Sequence, residues 1–326
     1  MTVNQTKQNV LILSAGRRVS LVRAFQTAAK AYAAKVFTAD MKPDFSAACQ
    51  ISDGAFYLPH VKTEQYDSAL LQLCQAHGIG VVIPTIDTEL LRLADLRQDF
   101  AAHGIRIVVS DQAHIRACRD KRLTHDLFDR IGLAYPHTYS PEQIRFPCFA
   151  KPVSGSLSQN IRILHDQAEL DSWKVDPAQM LFMEVISAEQ YREYTVDCYF
   201  GLDHQLKMMV PRLRYEVRGG EVSKGITDKS LLPLLLPYFR QLPGAVGCQT
   251  IQLFRHKDAD QVLGIEINPR FGGGYPLSYL AGADFPALLL RELLAKESLS
   301  YSDDWQDKLM MLRYDAEILV PNADYQ

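Results

Sequence analysis

Two hydrophobic periods alternate along the first third of this chain. Val10-Leu11-Ile12-Leu13 is a continuous apolar run that reads as a buried strand, and after Ser14-Ala15-Gly16 the pattern turns helical from Val19 to Ala34. Lys35 to Asp40 is a second strand, ending on an acidic residue. Tyr66 to His77 is helical and stops at Gly78, where a glycine cap is expected. Val81 to Pro84 reads as a third strand, Glu89 to Ala102 as a helix and Ile105 to Val109 as a fourth strand. Strands alternating with helices predict a parallel sheet with helices on both faces.

The pattern changes around Ser110-Asp111. One charged helix is expected from Gln112 to Arg130, carrying Arg119-Asp120-Lys121-Arg122 and ending at Gly132. Beyond Phe146 the chain is strand-rich, with segments at Phe149–Lys151, Ile161–Leu164, Met180–Ile186 and Tyr194–Phe200. Cys248–Arg255 and Val262–Asn268 form a hairpin-like pair around the polar turn His256 to Gln261. A helix from Phe285 to Ala295 and a last strand near Ala316–Val320 complete the reading. No internal repeat or low-complexity linker interrupts it.

Composition then sets limits. With 326 residues, 47% of them apolar, the chain suits two or three modules of about 100–150 residues each. A net charge of −3 gives no global basic field, so neither nucleic acid nor a membrane is expected as a partner. The polar start, Met1 to Asn9, leads into only four apolar residues, and Leu231–Phe239 is short and holds Pro233 and Pro237. Neither supports a signal peptide or a membrane span, and a soluble, cytoplasmic protein is expected. Six cysteines stand singly without a C-x-x-C pair, which favours free buried thiols over zinc.

The chemistry concentrates in Gly264-Ile265-Glu266-Ile267-Asn268-Pro269-Arg270-Phe271-Gly272-Gly273-Gly274. On a strand Glu266 and Asn268 point one way while Ile265 and Ile267 face the core. A carboxylate and an amide carbonyl two residues apart suit Mg²⁺ carrying phosphates. With the hairpin turn centred near Ala259, Gln252 lies opposite Glu266 and supplies a third oxygen. Arg270, just past the strand end, can clamp a phosphate. Taken alone, the motif also fits an exposed strand face before a turn.

Two lysines come next. Lys121 sits on the charged helix, and Lys151 follows an apolar strand and precedes Pro152. The loop Val153–Asn160 is small and hydroxyl-rich, and Ser154, Gly155 and Ser156 can offer backbone N–H groups to phosphate oxygens. Neither G-x-G-x-x-G nor the P-loop pattern is present. The apolar stretch ending in Glu184-Val185-Ile186 can present its backbone to an adenine edge, and Glu193 can bind ribose hydroxyls.

In this order the pieces resemble the ATP-grasp superfamily, most nearly the synthetase units of the carbamoyl-phosphate synthetase large subunit and short stand-alone relatives. The resemblance covers nearly the whole chain, and its most specific parts are Asp120-Lys121, Ala150-Lys151-Pro152 and Glu266 to Arg270. It implies an α+β protein: a Rossmann-like α/β domain over 1–111, a linker helix and small lid lobe over 112–185, and an ATP-grasp lobe over 186–326. It further implies that Lys121 and Lys151 contact ATP phosphates, with the loop closing over them. Glu184, Val185 and Ile186 would hold adenine, and Glu193 the ribose. Gln252, Glu266 and Asn268 would bind Mg²⁺, or Mn²⁺ in its place, and Arg270 the transferred phosphate, making Arg270 and Lys151 the catalytic pair. The expected activity is an ADP-producing ligase that joins a small carboxylate to an amine through an acyl phosphate. Homodimerisation is left open.

Between hinge and metal strands lie Arg212, Arg214 and Arg218 at even spacings, expected to share one strand face and hold the anionic substrate beside the γ-phosphate. The loop's single glycine and lack of a basic residue keep a weakly catalytic or inactive ATP-binding sensor as an alternative. A carbamoyl-phosphate-synthetase-like phosphoryl-transfer enzyme is another. A nicotinamide-binding unit built on Val10–Gly16 and Asp40 lacks its glycine fingerprint.

Overall fold

The computed structural model describes residues 8–154, 160–218 and 221–321. It is a mixed α/β protein built on one parallel and two antiparallel sheets. The N-terminal part runs β1 (Asn9–Leu13), α1 (Val19–Ala29), β2 (Val36–Asp40), α2 (Ala47–Gln50), β3 (Ala55–Tyr57), α3 (Tyr66–Ala76), β4 (Ile79–Ile83), α4 (Asp87–Ala102) and β5 (Arg106–Ile107). Its five strands pair in parallel in the order β3-β2-β1-β4-β5. Val10 to Leu13 are all fully buried, as a central parallel strand requires. Val10 and Ile12 enter one core with Val22 and Phe25 of α1, while Leu11 and Leu13 enter another with Leu70, Leu90 and Leu93. Strand alternation thus feeds both helix layers.

A helical elbow follows, α5 (Gln112–Arg119) and α6 (Lys121–Ile131). The expected single helix is broken at Asp120, whose backbone is extended and whose carboxylate accepts from Arg122 N at 2.9 Å. Aspartate competes for backbone donors in this way, so it ends one helix and caps the next. Gly132 closes α6 in a left-handed conformation, φ 73°. Lys121 thereby becomes the first residue of a helix, and its own N–H reaches the Val153 carbonyl at 3.0 Å.

The small antiparallel sheet comprises β6 (Thr138–Tyr139), β7 (Cys148–Pro152) and β8 (Arg162–Leu164), then, after α7 (Gln167–Ser172), β9 (Met180–Glu184), in the order β6-β9-β7-β8. The large antiparallel sheet holds β10 (Tyr191–Phe200), β11 (Leu206–Arg218), β12 (Glu221–Thr227), α8 (Leu232–Phe239) as an excursion, β13 (Gly247–His256) and β14 (Val262–Asn268). Helices α9 (Tyr275–Leu280) and α10 (Phe285–Leu293) precede the edge strand β15 (Met310–Leu312), giving the order β14-β13-β10-β11-β12-β15. Helix α1 packs on α9 and α10, so the parallel sheet and the large sheet share one core.

Four expectations are corrected besides the elbow. The first helix stops at Ala29, where a 3₁₀ turn over Lys30–Tyr32 leads to Ala33 at φ 50°. Strand β3 was not anticipated: three residues are too few to display a period, and its two ends are exposed. Ile105–Val109 narrows to the two paired residues of β5. No strand forms at 316–320: β15 already occupies the edge beside β12, and Leu319 is left 88% exposed without a partner strand.

Replacing Asp120 by alanine removes the α6 cap. It should cost about 1 kcal/mol, read as a lower urea midpoint at unchanged slope. An unshifted midpoint would show that the elbow is held by packing alone.

Candidate functional site

Antiparallel pairing lines up one polar face across the large sheet. Glu266, Gln252, Thr195, Arg212 and Thr227 form one ladder row, each directly opposite the next. The adjacent row runs Asn268, Thr250 and Asp197, and on the other side Glu193 stands on the same face as Thr195. Residues of the opposite parity, Val196, Cys198, Ile251, Leu253 and Ile267, are fully or almost fully buried in the core.

The structure brings Gln252, Glu266 and Asn268 together. Glu266 Oε1 accepts from Gln252 Nε2 at 2.9 Å and from Asn268 Nδ2 at 2.8 Å. Among the described residues there is no cluster of three or more His, Cys, Asp and Glu suited to a metal. One carboxylate and two amides that can turn their oxygens outward fit a hard cation that brings phosphate ligands with it. Arg270 is held by Asp87 of α4, with Nε and Nη2 donating to Oδ2 at 2.9 and 2.6 Å, and Nη2 lies 3.3 Å from Asn268 Oδ1. Arg119 of α5 donates to the Asp87 carbonyl at 2.6 Å, so elbow, parallel sheet and metal-type strand meet at one aspartate.

Lys151 is buried on β7, and burial pushes its ammonium down to about 8, opposed by Glu266 and helped by Lys121. The Lys121 ammonium is lowered too, by burial first, against the pull of Glu266 and Asp120. Two cations therefore face one carboxylate. Lys121 is also a positive charge on the first residue of a helix, where the dipole favours anions. Glu193 is pushed up by burial, held down by Arg214, whose Nε lies 2.9 Å from Oε1, and raised again by Glu266.

A cleft of about 770 Å³ is lined by Tyr135, Thr138, Glu184, Val185, Ile186 and Tyr191 among others; Lys121, Lys151, Glu193 and the Gln252–Glu266–Asn268 cluster do not line it. The Glu184 carboxylate accepts from His137 N at 2.8 Å, which fixes this rim to the strand segment before β6. His125, behind the cleft wall, stacks on Tyr135 at 4.0 Å, and burial and then Lys151 press its imidazole down to about 4. Ser154 is exposed at the end of the lysine strand, and Gly155 and Ser156 lie outside the described residues.

The three arginines do not share one environment. Arg212 is 1% exposed and pairs with the fully buried Asp197 through Nε and Nη2 at 2.8 and 3.1 Å. Arg214 faces Glu193 and Thr195. Register shifts between Arg214 and Val217 break the alternation, so Arg218 leaves the face and pairs at the surface with Asp315. Even spacing fails as a guide once a bulge intervenes.

Asp87 and Asp197 were missed as site residues. The signal for Asp197 was available, since an aspartate inside the apolar run of β10 demands a buried partner. Ser278 Oγ also donates to it at 2.6 Å, and Thr250 Oγ1 donates to the Arg270 carbonyl at 3.0 Å. This buried cluster packs against the glycine loop: a Cβ at Gly274 would lie 2.5 Å from Arg212 Nη1, and one at Gly272 would lie 2.8 Å from Thr250.

Residues 10–108 match the family model described as the PylC-like N-terminal domain, and residues 176–314 match the ATP-grasp in the biosynthetic pathway with Ter operon. The chain thus carries a PylC-like N-terminal segment followed by an ATP-grasp segment. No curated protein matches it in sequence. Its fold is shared with the biotin carboxylase domain of 2-oxoglutarate carboxylase from Hydrogenobacter thermophilus, solved with MgADP, ADP and bicarbonate (TM-score 0.70, 15% identity, covering 93% of this chain and 73% of that one). It is similar to N5-carboxyaminoimidazole synthetase from Staphylococcus aureus with ADP (0.70, 16%, 91% and 80%). L-amino acid ligase from Bacillus licheniformis also matches (0.65, 17%, 88% and 74%). At these identities the likeness is one of fold. No helix among the described residues is long and apolar enough to cross a membrane.

Asp197→Ala strands a buried guanidinium and should cost about 3–5 kcal/mol in urea unfolding. The double variant Asp197→Leu/Arg212→Met should recover much of that loss. A single variant as stable as the parent would show that the pair is solvated.

Proposed function

We propose that this protein is a Mg²⁺- and ATP-dependent ligase that joins a small carboxylate to an amine through an acyl phosphate. The observation that carries the reading is the Gln252–Glu266–Asn268 cluster coupled through Glu266 to two desolvated lysines. ADP in the similar synthetase and MgADP in the similar carboxylase domain support it.

In this reading the backbone of Glu184 to Ile186 holds adenine, Glu193 holds ribose, and Lys121, Lys151 and the start of α6 neutralise the phosphates. Gln252, Glu266 and Asn268 would hold Mg²⁺, which supplies charge neutralisation on the transferred phosphoryl group. Arg270, kept in place by Asp87, stabilises that group as it moves from ATP to the substrate carboxylate. The amine then displaces phosphate from the acyl group, and no covalent enzyme nucleophile is involved. Of the three arginines, Arg212 is best suited to the substrate anion. Its Nη1 is buried without a partner against Gly274, so an anion seated on the glycine loop would complete its hydrogen bonding.

Two measurements test this. Mg-ATP should raise the melting temperature and Mg-GTP should not; equal shifts would remove the adenine assignment. With carboxylate and amine libraries, ADP release should fall at least about 10²-fold in Glu266→Gln while ATP binding persists. Absence of any ADP release from the parent, with ATP bound, would favour a non-catalytic nucleotide binder.

Lys151 gives a pH signature. It is protonated at neutral pH and loses its proton near pH 8, well below the ordinary lysine value of 10.5. Phosphate binds the charged form, so the ATP Kd should rise above pH 8, with proton uptake visible as buffer-dependent heat. The free protein holds fewer protons than the unfolded chain between those values, so Lys151 makes its stability increase with pH across that window. Lys151→Met should lose most of both effects, the remainder coming from Lys121, and a pH-independent Kd from 7 to 9.5 in the parent would refute the assignment.

A further inference from the structure

The parallel sheet reverses its strand order between β1 and β4, and in such sheets the crevice beyond the carboxyl ends of these strands is where ligands sit. Here its lip is built with care. Thr85 Oγ1 donates to the Leu13 and Ser14 carbonyls at 2.9 and 2.8 Å, and Ser14 adopts φ 50°. Gly16, also at φ 50°, donates its N–H to Asp40 Oδ2 at 3.1 Å.

Under the lip lies Glu89, 4% exposed in the first turn of α4. Ser14 Oγ donates to its Oε1 at 2.6 Å, while Oε2 is buried with no hydrogen-bond partner. A buried carboxylate oxygen left unsatisfied is costly, and a site that waits for a donor explains it. The same helical turn carries Asp87 to Arg270, and Arg18 donates to both Thr85 O at 3.0 Å and Phe271 O at 3.1 Å. The crevice is therefore tied to the residue that follows Arg270.

Resting on the ligase reading above, we propose that this crevice receives the amine substrate as its ammonium, with Ser14, Asp40 and Glu89 as its ligands, and that the ionised Glu89 carboxylate takes the proton that must leave the nitrogen before its lone pair attacks the acyl carbon. An ammonium brings three N–H donors, and these residues offer oxygens only. Its charge also relieves the environment of Glu89. Burial pushes that carboxyl up to about 7, the Ser14 hydrogen bond lowers it, and the Asp40 charge raises it. Tyr66 of α3 also faces Glu89, its hydroxyl buried without a partner. Arg92 on α4 is engaged by Asp67 and by the Val61 and Thr63 carbonyls.

The test is thermal stabilisation by ethanolamine, putrescine and L-lysinamide, which carry ammonium groups and no carboxylate, at pH 6, 7 and 8, with Mg-ATP as control. At least one amine should raise the melting temperature of the full chain. The amine concentration needed should fall about tenfold from pH 6 to pH 8 as Glu89 ionises. Glu89→Gln should lose the amine shift and its pH dependence but keep the Mg-ATP shift; Ser14→Ala, which keeps the carboxyl, should weaken the amine shift and retain the pH trend. No amine shift in a parent that still responds to Mg-ATP overturns the proposal. So does an equal shift in parent and Glu89→Gln, which would mean that Oε2 meets only a trapped water. Loss of the Mg-ATP response in the parent would instead count against the ligase reading itself.

Discussion

Register in the large antiparallel sheet is the constraint on which everything else rests. Because side chains alternate with period two, the pairing that sets Gln252 opposite Glu266 also decides that Ile251, Leu253 and Ile267 enter the core. A slip of one residue would bury Glu266, Gln252 and Asn268 and expose the aliphatic row, so hydrophobic burial itself enforces the site geometry. A register shift between Gln252 and Leu253 is part of this arrangement: Gly264 pairs with Leu253 and Glu266 with Gln252, so Ile265 is the extra residue and stays half-buried instead of facing the core as the alternation predicted. The same rule extends across β10 and β11, where it places Glu193, Thr195, Arg212 and Arg214 on that face.

Such a polar face has to be neutralised from within, and the pairs show how. Arg214 answers Glu193, and Arg212 answers Asp197 in a pocket closed to water. The second pair lies deep enough that its desolvation penalty offsets much of its attraction, so its value lies in position rather than in net stability. Through Thr250 and the close approach of Gly272 and Gly274, it fixes the glycine loop directly after Arg270. A Cβ at Gly274 would press on Arg212 and one at Gly272 on Thr250, so both positions favour glycine.

How much of this was legible follows from which forces are local. The hairpin, the caps at Gly78 and Gly132 and the lysine strand depend on short-range pattern, and the chain states them openly. The break at Asp120 turns on one side chain outbidding a helical N–H, which hydrophobic periodicity does not register. The bulges that divert Arg218 are similarly silent, because a single extra residue changes phase without changing composition. Asp87 stood between the third strand and the expected helix and Glu89 at that helix's first position, and neither was given a site role. Their roles depend on Arg270, 183 residues away in sequence, and on the end of β1, and only the packing of the parallel sheet against the large sheet brings those groups to them.

The two regions joined by Asp87 and Arg270 have opposite electrostatic character. On one side Lys121 and Lys151 are cations stripped of water, with Glu266 as the nearby carboxylate that supports their charge. On the crevice side Glu89 is a carboxyl stripped of water, with Asp40 making its charge harder to bear. Each region holds charge that burial disfavours, and each would be relieved by a ligand of the opposite sign. A protein that brings an anionic phosphoryl donor to a cationic amine meets both needs with one arrangement. On the proposed reading, affinity for either ligand would draw on desolvation already incurred in folding, which is the physical sense in which such a site is preorganised.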